Sequence, residues 1–232
     1  MKLTWLAGLG LGLLALPGSA QERPALKTQK DKVSYAVGLE FARSIKGQGI
    51  EVDPNLVVLG LNDALSGGKS LMTEEDLRAT MITIQEGVKQ KQMQAMTKAA
   101  EDNKKTGEAF LAENAKKPGV VTLPSGLQYK ILQAGDGKKP TETDTVACNY
   151  KGTFIDGAEF DSTYGTGKPA TFGIKGVIPG FGEALKLMSV GSKWQIFVPS
   201  KLAYGERGAN NVIGPNSALV FEIELVSIQD KP

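Results

Sequence analysis

Residues 187–208 read LMSVGSKWQIFVPSKLAYGERG, and residues 213–228 read IGPNSALVFEIELVSI. Each stretch contains a run in which apolar side chains occupy every second position. These positions are Trp194, Ile196 and Val198 in the first run, and Leu219, Phe221, Ile223 and Leu225 in the second. Alternation with a period of two is typical of a strand that buries one face. The two runs therefore predict two strands of an antiparallel sheet.

The rest of the carboxyl-terminal half predicts further strands and a single helix. Additional strand candidates are residues 128–133 and the alternating positions Val146, Cys148 and Tyr150. The dipeptide Asp156-Gly157 is a turn signal between apolar residues. Residues 179–188, which lie between two strand candidates, predict one short helix. Several antiparallel strands around one helix make an α+β domain, which we place at residues 118–232.

The preceding region has a different composition, with one proline in residues 27–117 and the pattern of helices. A first helix is predicted by apolar residues at four-residue spacing, namely Val33, Val37, Phe41 and Ile45. Asp53 supplies an N-cap for a second helix that begins at Pro54. A third helix is predicted from Glu74 to about Ala115, with no proline in between.

Helices this short cannot form a large core on their own. Pairing with a second copy would cover their apolar stripe, so we predict a dimerisation domain at residues 27–72. A long connecting helix is predicted at residues 73–117. The alternative is that the helices pack on the carboxyl-terminal domain of the same chain. Met81, Met93 and Met96 indicate ordinary helix packing, with an adaptable surface for client proteins as the alternative.

The first 20 residues have the pattern of a secretory signal peptide. Lys2 is followed by an apolar run, and the small residues Gly18 and Ala20 precede Gln21. The run is too short for a comfortable membrane span, so we expect cleavage after Ala20. An uncleaved membrane anchor is the alternative. Residues 1–20 are therefore predicted to direct export of the chain.

The composition excludes several kinds of functional site. The chain has no histidine and a single cysteine, Cys148, which excludes histidine-based triads, intrachain disulfides and multi-cysteine zinc sites. A formal net charge of +2 over 232 residues gives little support to nucleic-acid binding, which needs a concentrated basic face. We expect the unpaired thiol of an exported chain to be buried. No metal or cofactor is expected, and the chemistry must use carboxylates, hydroxyls, backbone groups or apolar burial.

Four strings in the carboxyl-terminal half carry a family resemblance. They are the two stretches quoted first, YKGTFIDGAEFDST at residues 150–163, and VIPGFGEAL at residues 177–185. In order and spacing they closely resemble the FKBP-type peptidyl-prolyl cis-trans isomerases. The amino-terminal half, from SYAVGLEFARSI at residues 34–45 through the long helix, resembles the dimerisation domain of the macrophage infectivity potentiator (Mip) group.

The resemblance implies a strongly bent antiparallel sheet wrapped around a short helix, with a shallow apolar pocket between them. It implies catalytic roles for Tyr150, Phe160, Asp161, Phe181 and Tyr204, and substrate contacts for Val177, Ile178, Ile213 and Phe221. Phe181 would form the floor, and Asp161 and Tyr204 the polar rim. The backbone N–H of Ile178 would hold a substrate carbonyl.

Four positions depart from the pattern of the family, and besides Ala209 and Thr166 they are two positions at the pocket. Phe181 stands where many relatives have tryptophan, and Ala170 stands where a relative carries another aromatic residue. Both changes reduce the apolar area of the pocket. They bear on the catalytic rate, on substrate preference and on affinity for macrolide inhibitors, a class of ligand that the resemblance implies.

The predicted activity is rotation about X-Pro bonds in unfolded or exported polypeptides. Amide resonance opposes this rotation with a barrier of ~18–20 kcal/mol. An apolar pocket removes water from the polar planar amide and so favours the less polar twisted state. The signal peptide and the resemblance together imply a homodimer in the periplasm or at the outer-membrane periphery of a Gram-negative bacterium. The alternative is a periplasmic chaperone or binding module with low isomerase turnover.

Overall fold

The computed structural model describes residues 25–229, which divide between Thr73 and Glu74 into two compact units. The predicted signal peptide at residues 1–20 lies outside this range. Within residues 25–229, no helix combines the length and the hydropathy that a membrane span requires. The described residues form four α-helices and a seven-stranded sheet, which confirms the predicted α+β class.

The first unit contains helices α1 (Gln29–Gly47) and α2 (Pro54–Ser66). α1 begins with a capping box, in which Asp31 N donates to Thr28 Oγ1 at 3.1 Å and Thr28 N donates to Asp31 Oδ2 at 2.8 Å. α2 begins at the predicted proline, and the carboxylate of Asp53 accepts a 2.8 Å hydrogen bond from the first turn. Neither helix buries any of its residues.

The second unit begins with α3 (Glu74–Asn114), whose ends lie close to the predicted ones. Two residues near its carboxyl end, Gly107 and Asn114, are buried. Between them, the ring of Phe110 lies 6.0 Å from the ring of Phe197 on the sheet. The last turns of α3 therefore pack directly on the sheet, although the sequence indicates little apolar face there.

The sheet is antiparallel throughout. Its strands are β1 (Val120–Thr122), β2 (Gln128–Gln133), β3 (Thr145–Phe154), β4 (Glu159–Ser162), β5 (Ala170–Gly173), β6 (Lys193–Val198) and β7 (Leu219–Gln229). Their spatial order is β1-β2-β6-β7-β3-β4, with β5 also paired to β3. Register shifts interrupt β3 between Ala147 and Cys148 and between Gly152 and Thr153, where bulges bend a strand.

The core lies between the sheet and helix α4 (Pro179–Leu187), the short helix predicted from the sequence. The alternating residues of β6 and β7 are buried as predicted. Phe197 is buried as well, although it points to the opposite face of β6, because α3 covers that face. The single cysteine, Cys148, is fully buried in the core, which confirms the expected burial of its thiol.

Candidate active site

A cavity of about 260 Å³ opens between α4 and one end of the sheet. Its lining residues are Tyr150, Phe160, Asp161, Phe172, Gly176, Val177, Ile178, Phe181, Tyr204 and Phe221. Eight of the nine site residues predicted from the sequence, all except Ile213, are in this set. The fold thus brings together side chains from four strands, one helix and two loops, and their roles remain predictions.

Phe181 forms the centre of the aromatic lining. It extends from the first turn of α4 and is only 4% exposed. Three other rings meet it edge to face, with centroid distances of 5.9 Å to Tyr150, 5.6 Å to Phe172 and 5.4 Å to Phe221. Edge-to-face contacts are a favoured aromatic geometry and hold the rings in fixed orientations. The floor of the cavity is therefore an apolar and preorganised surface.

A glycine on β3 makes room for two of these rings. Gly152 pairs with Phe221 on β7. A Cβ atom at Gly152 would lie 2.7 Å from the ring of Phe160 and 2.9 Å from the ring of Phe221. Only a residue without a side chain lets both rings pack over β3 at this distance. The glycine in the string YKGTF therefore determines the shape of the cavity wall.

The backbone at the start of α4 leaves a hydrogen-bond donor beside the cavity. The carbonyl of Ile178 accepts hydrogen bonds from Phe181 N at 3.0 Å and from Gly182 N at 3.1 Å. None of the described residues accepts a hydrogen bond from the N–H of Ile178. Because an unpaired backbone donor is costly to bury, this N–H favours a ligand acceptor. The family resemblance predicts that this same N–H binds a substrate carbonyl.

The rim of the cavity contains the polar side chains. The hydroxyl of Tyr150 donates a 2.6 Å hydrogen bond to Asp161 Oδ2. Burial, and then this hydrogen bond, raise the pKa of the Tyr150 phenol well above its ordinary value, so the hydroxyl remains a donor even in alkaline solution. Tyr204, which follows the 3₁₀ turn Ser200–Leu202, also lines the cavity and is 39% exposed.

Two lining residues, Phe172 and Gly176, are absent from the sequence prediction, and one predicted residue lies elsewhere. Phe172 shares a face of β5 with Ala170. Because side chains two positions apart lie on one face of a strand, the position of Ala170 at the pocket indicates that Phe172 lies there as well. Ile213 is 8% exposed and belongs to the apolar core, where it forms an isolated bridge with Ala209. Its contact with substrate stays a prediction, since Ile213 belongs to the same core cluster as Phe181 and Phe221.

A larger hollow of about 600 Å³ lies along α3. Its lining includes two cations and two carboxylates, from Lys104, Lys201, Glu108 and Glu206, and none of its lining residues is aromatic. Size alone would favour this hollow as a ligand site. The activity predicted from the sequence, however, needs a mostly apolar surface with few polar groups. The smaller aromatic cavity has such a lining.

Comparison with known proteins gives two family matches. Residues 30–131 match the domain amino-terminal to FKBP-type peptidyl-prolyl isomerase, and residues 136–226 match the FKBP-type peptidyl-prolyl cis-trans isomerase itself. Together the matches cover the helices and nearly the whole sheet. The division that they make, between residues 131 and 136, falls at the end of β2.

Similar proteins extend the match to the full chain. The chain is 46% identical to the outer membrane protein MIP of Legionella longbeachae, over 99% of this chain and 98% of that protein. It is 45% identical to the peptidyl-prolyl cis-trans isomerase Mip of Coxiella burnetii, over 100% of both. The crystal structure of FkpA from Escherichia coli superimposes with a TM-score of 0.73 at 38% identity, covering 90% of this chain and 100% of that one. The chain therefore belongs to the FKBP-type peptidyl-prolyl cis-trans isomerases, in the Mip-like group.

Proposed function

We propose that the cavity around Phe181 is the active site at which this isomerase rotates the X-Pro bonds of exported polypeptides. The observation that carries the proposal is the floor, where three aromatic rings meet Phe181 edge to face. A volume of about 260 Å³ suits a proline ring and the adjoining amide rather than an extended ligand. The apolar lining receives the ring, and the polar rim remains in contact with solvent.

Desolvation of the amide is the first part of the proposed mechanism. The planar amide is polar because of resonance, and water stabilises its charge separation. Phe160, Phe181 and Phe221 replace that water with aromatic surface. The twisted transition state has weaker resonance and a less polar carbonyl, so it loses less on leaving water. The cavity therefore binds the transition state better than the ground state, which is the condition for catalysis.

Orientation of the substrate is the second part. The N–H of Ile178 donates a hydrogen bond to a substrate carbonyl and fixes one side of the rotating bond. The hydroxyl of Tyr204 is placed on the rim for a second carbonyl. Tyr150 donates to Asp161 and holds that carboxylate on the rim. No covalent bond forms or breaks during rotation, so no nucleophile is required.

Refolding of a protein whose slow phase is limited by proline isomerisation tests the site. We expect the chain to accelerate that phase. Phe181→Ala is expected to lower kcat/KM at least about tenfold, equivalent to ~1.4 kcal/mol of transition-state stabilisation. The matched control is Phe110→Ala, which removes a phenyl ring from α3, whose contact lies on the other face of the sheet. Full activity in Phe181→Ala, or equal losses in both variants, would contradict the assignment.

A homodimer through α1 and α2 is the proposed assembly. Three residues of the predicted stripe on α1 are 51%, 65% and 44% exposed, namely Val33, Val37 and Phe41, and the fourth, Ile45, is half-buried. Leu56 and Leu65 on α2 are 63% and 85% exposed. Helices of this length are marginal in water without packing of an apolar face. A second copy presents the same surface and can cover the stripe on α1 and exposed apolar side chains of α2 by twofold symmetry.

Export to the periplasm or the outer-membrane periphery is the proposed location. Its support is the signal pattern at residues 1–20 and the similarity to a protein named for the outer membrane. The clients are then unfolded polypeptides that enter the same compartment. Amino-terminal sequencing of the chain from a fractionated Gram-negative host tests this location. A start at Gln21 in the periplasmic fraction supports it, and an intact amino terminus in the cytoplasmic fraction contradicts it.

A chaperone role with low turnover is the alternative function. Its physical basis is the exposure of Met81, Met93 and Met96 on α3, which are 46%, 60% and 55% exposed. The relatives named above include isomerases, and the aromatic cavity accounts for that activity directly. Isomerisation therefore takes precedence. The test is aggregation of a client whose folding does not depend on proline isomerisation. If the Phe181→Ala chain still suppresses that aggregation, the chaperone role is supported.

A further inference from the structure

The loop between β6 and β7 is held against α3 by a close contact. Gly107 on α3 is buried, and a Cβ atom added to it would lie 3.0 Å from Cβ of Ala218. A side chain at this position would make the helix or the loop give way by a few tenths of an ångström. The absence of a side chain lets the helix and the loop approach closely enough for hydrogen bonds between Asn103 or Ala100 on α3 and residues 215–217.

Two asparagines form hydrogen bonds across this contact, one on the helix and one on the loop. Asn103 on α3 donates through Nδ2 to the carbonyl of Pro215 at 2.8 Å. Asn216 on the loop donates through Nδ2 to the carbonyl of Ala100 on α3 at 3.3 Å. Asn103 Nδ2 also lies 3.4 Å from Ser217 Oγ. The helix and the loop are therefore joined by hydrogen bonds in both directions, and both of the main bonds end on backbone carbonyls.

Asn216 also forms a hydrogen bond to the loop that lines the cavity. The backbone N–H of Asn216 donates to the carbonyl of Gly205 at 2.8 Å. Gly205 directly follows Tyr204, which lines the aromatic cavity. Asn216 has a φ of 56°, a left-handed conformation that asparagine tolerates better than most residues. One residue thus contacts α3 with its side chain and holds the rim loop with its backbone.

We propose that Asn103 and Asn216 are positioning residues that fix Tyr204 at the rim of the active site by clamping its loop to α3. This inference rests on the proposed site, because it gives a role to Tyr204. The segment from Gly205 to Ile213 has little regular structure, which consists of a 3₁₀ turn and the isolated Ala209–Ile213 bridge, and it reaches the apolar core through Ala209 and Ile213 at its far end. The end next to Tyr204 is free of these core contacts, so it samples other arrangements more readily unless it is anchored.

The clamp is expected to act on the fraction of molecules that are ready to bind substrate. When that fraction falls, the apparent affinity falls in proportion, while the saturated complex reacts as before. Loss of the hydrogen bond from either Asn103 or Asn216 should therefore raise KM and leave kcat unchanged. A role in folding alone would not produce this separation, because unfolded protein lowers the apparent kcat and leaves KM as it is.

The test compares two full-length variants with two matched controls. Asn103→Leu removes the donor from the helix, and Asn216→Gly removes the donor from the loop while allowing the positive φ. The control for the loop is Asn211→Gly, a second left-handed asparagine with a φ of 55° that is exposed. The control for the helix is Lys98→Ala, at an exposed position on α3 whose ion pair is with Asp102.

We expect both clamp variants to raise KM for a proline-containing peptide by roughly two- to tenfold, the scale of one neutral hydrogen bond, with kcat unchanged. Amide hydrogen exchange should accelerate at residues 204–216 and remain slow in β6 and β7. Both controls should behave as the unaltered chain. Unchanged KM in two folded clamp variants would overturn the inference. If the unaltered chain does not accelerate isomerisation, the proposed site itself fails, which separates the two results.

Discussion

The hydroxyl of Tyr150 and the carboxylate of Asp161 are joined by a 2.6 Å hydrogen bond, in which the phenol donates to Oδ2. The bond connects β3 to β4 across the rim of the cavity. The bond involves both polar groups on this side of the rim. The phenol holds the carboxylate in place, and burial and then the carboxylate raise the pKa of the phenol. The rim therefore has one fixed polar pair, and Tyr204, which is 39% exposed, is the third polar side chain of the cavity lining.

This pair predicts an unusual tyrosine in an alkaline titration. Burial and the bond to Asp161 raise the pKa of Tyr150, so one of the five tyrosines should ionise well above pH ~10. Because the folded pKa is the higher one, the stabilisation is complete below pH ~10 and is lost as the pH rises through the folded value. Absorbance titration checks this. Tyr150→Phe should remove the late transition, and its persistence would contradict the assignment.

The packing of Gly152 predicts a destabilising substitution with a defined cause. Gly152→Ala places a methyl group 2.7 Å from Phe160, so the ring must move or the strand must shift. We expect a loss of about 1–3 kcal/mol in the free energy of unfolding, measured by urea denaturation, together with a lower kcat/KM. Gly173→Ala on β5 is the matched control, since its Cβ atom would meet nothing within 4 Å. Equal effects of the two changes would exclude the ring contact as the cause.

Much of the isomerase fold follows from patterns that are local in the sequence. Alternation predicts β6 and β7, Pro179 marks the start of α4, and Asp53 marks the start of α2. These features depend on residues a few positions apart, so a single chain displays them. The burial of Phe197 does not follow, because it depends on Phe110, which lies far away in the sequence.

The cavity was predictable for a different reason. Its residues come from separate elements, and only the family resemblance brings Tyr150, Phe181 and Tyr204 together in advance. The same resemblance also names Ile213, which the chain buries in the core beside Phe181 and Phe221, and its contact with substrate stays a prediction. The clamp of Asn103 and Asn216 had no signal in the sequence, because it depends on the register of a long helix against a loop more than a hundred residues later.

The thiol of Cys148 predicts both low reactivity and a pH-dependent contribution to stability. Burial raises its pKa from the usual 9.0 to about 12. The thiol should therefore resist a thiol-reactive dye in the folded chain and react only on unfolding. Since the folded pKa is raised, its contribution to stability is complete below pH 9.0 and is lost between 9.0 and about 12.

Comparison of the unaltered chain with Cys148→Ala measures that contribution. The difference in the free energy of unfolding between the two chains should shrink as the pH rises through this window. The alanine also leaves a small cavity, which shifts the stability by an amount independent of pH. A difference that stays constant across the window, or rapid labelling of the folded chain, would show that the thiol is not held in its neutral form.

The exposed stripe of α1 predicts that dimerisation depends on apolar contact. Val37 is 65% exposed in the single chain, and a charge at this position would be buried without a partner in a dimer. Val37→Glu should therefore sediment as a monomer at concentrations at which the unaltered chain is a dimer. Lys32→Glu, which reverses a charge at an exposed position of the same helix, should remain dimeric.

Activity distinguishes assembly from catalysis in the same two variants. Because the aromatic cavity belongs entirely to the second unit, monomeric Val37→Glu should retain kcat/KM for a short proline-containing peptide. Acceleration of refolding of a long client is then the measurement that reports on the dimer, since two linked sites raise the effective concentration of each for one chain. A monomeric unaltered chain, or a dimeric Val37→Glu, would show that the stripe on α1 has another role.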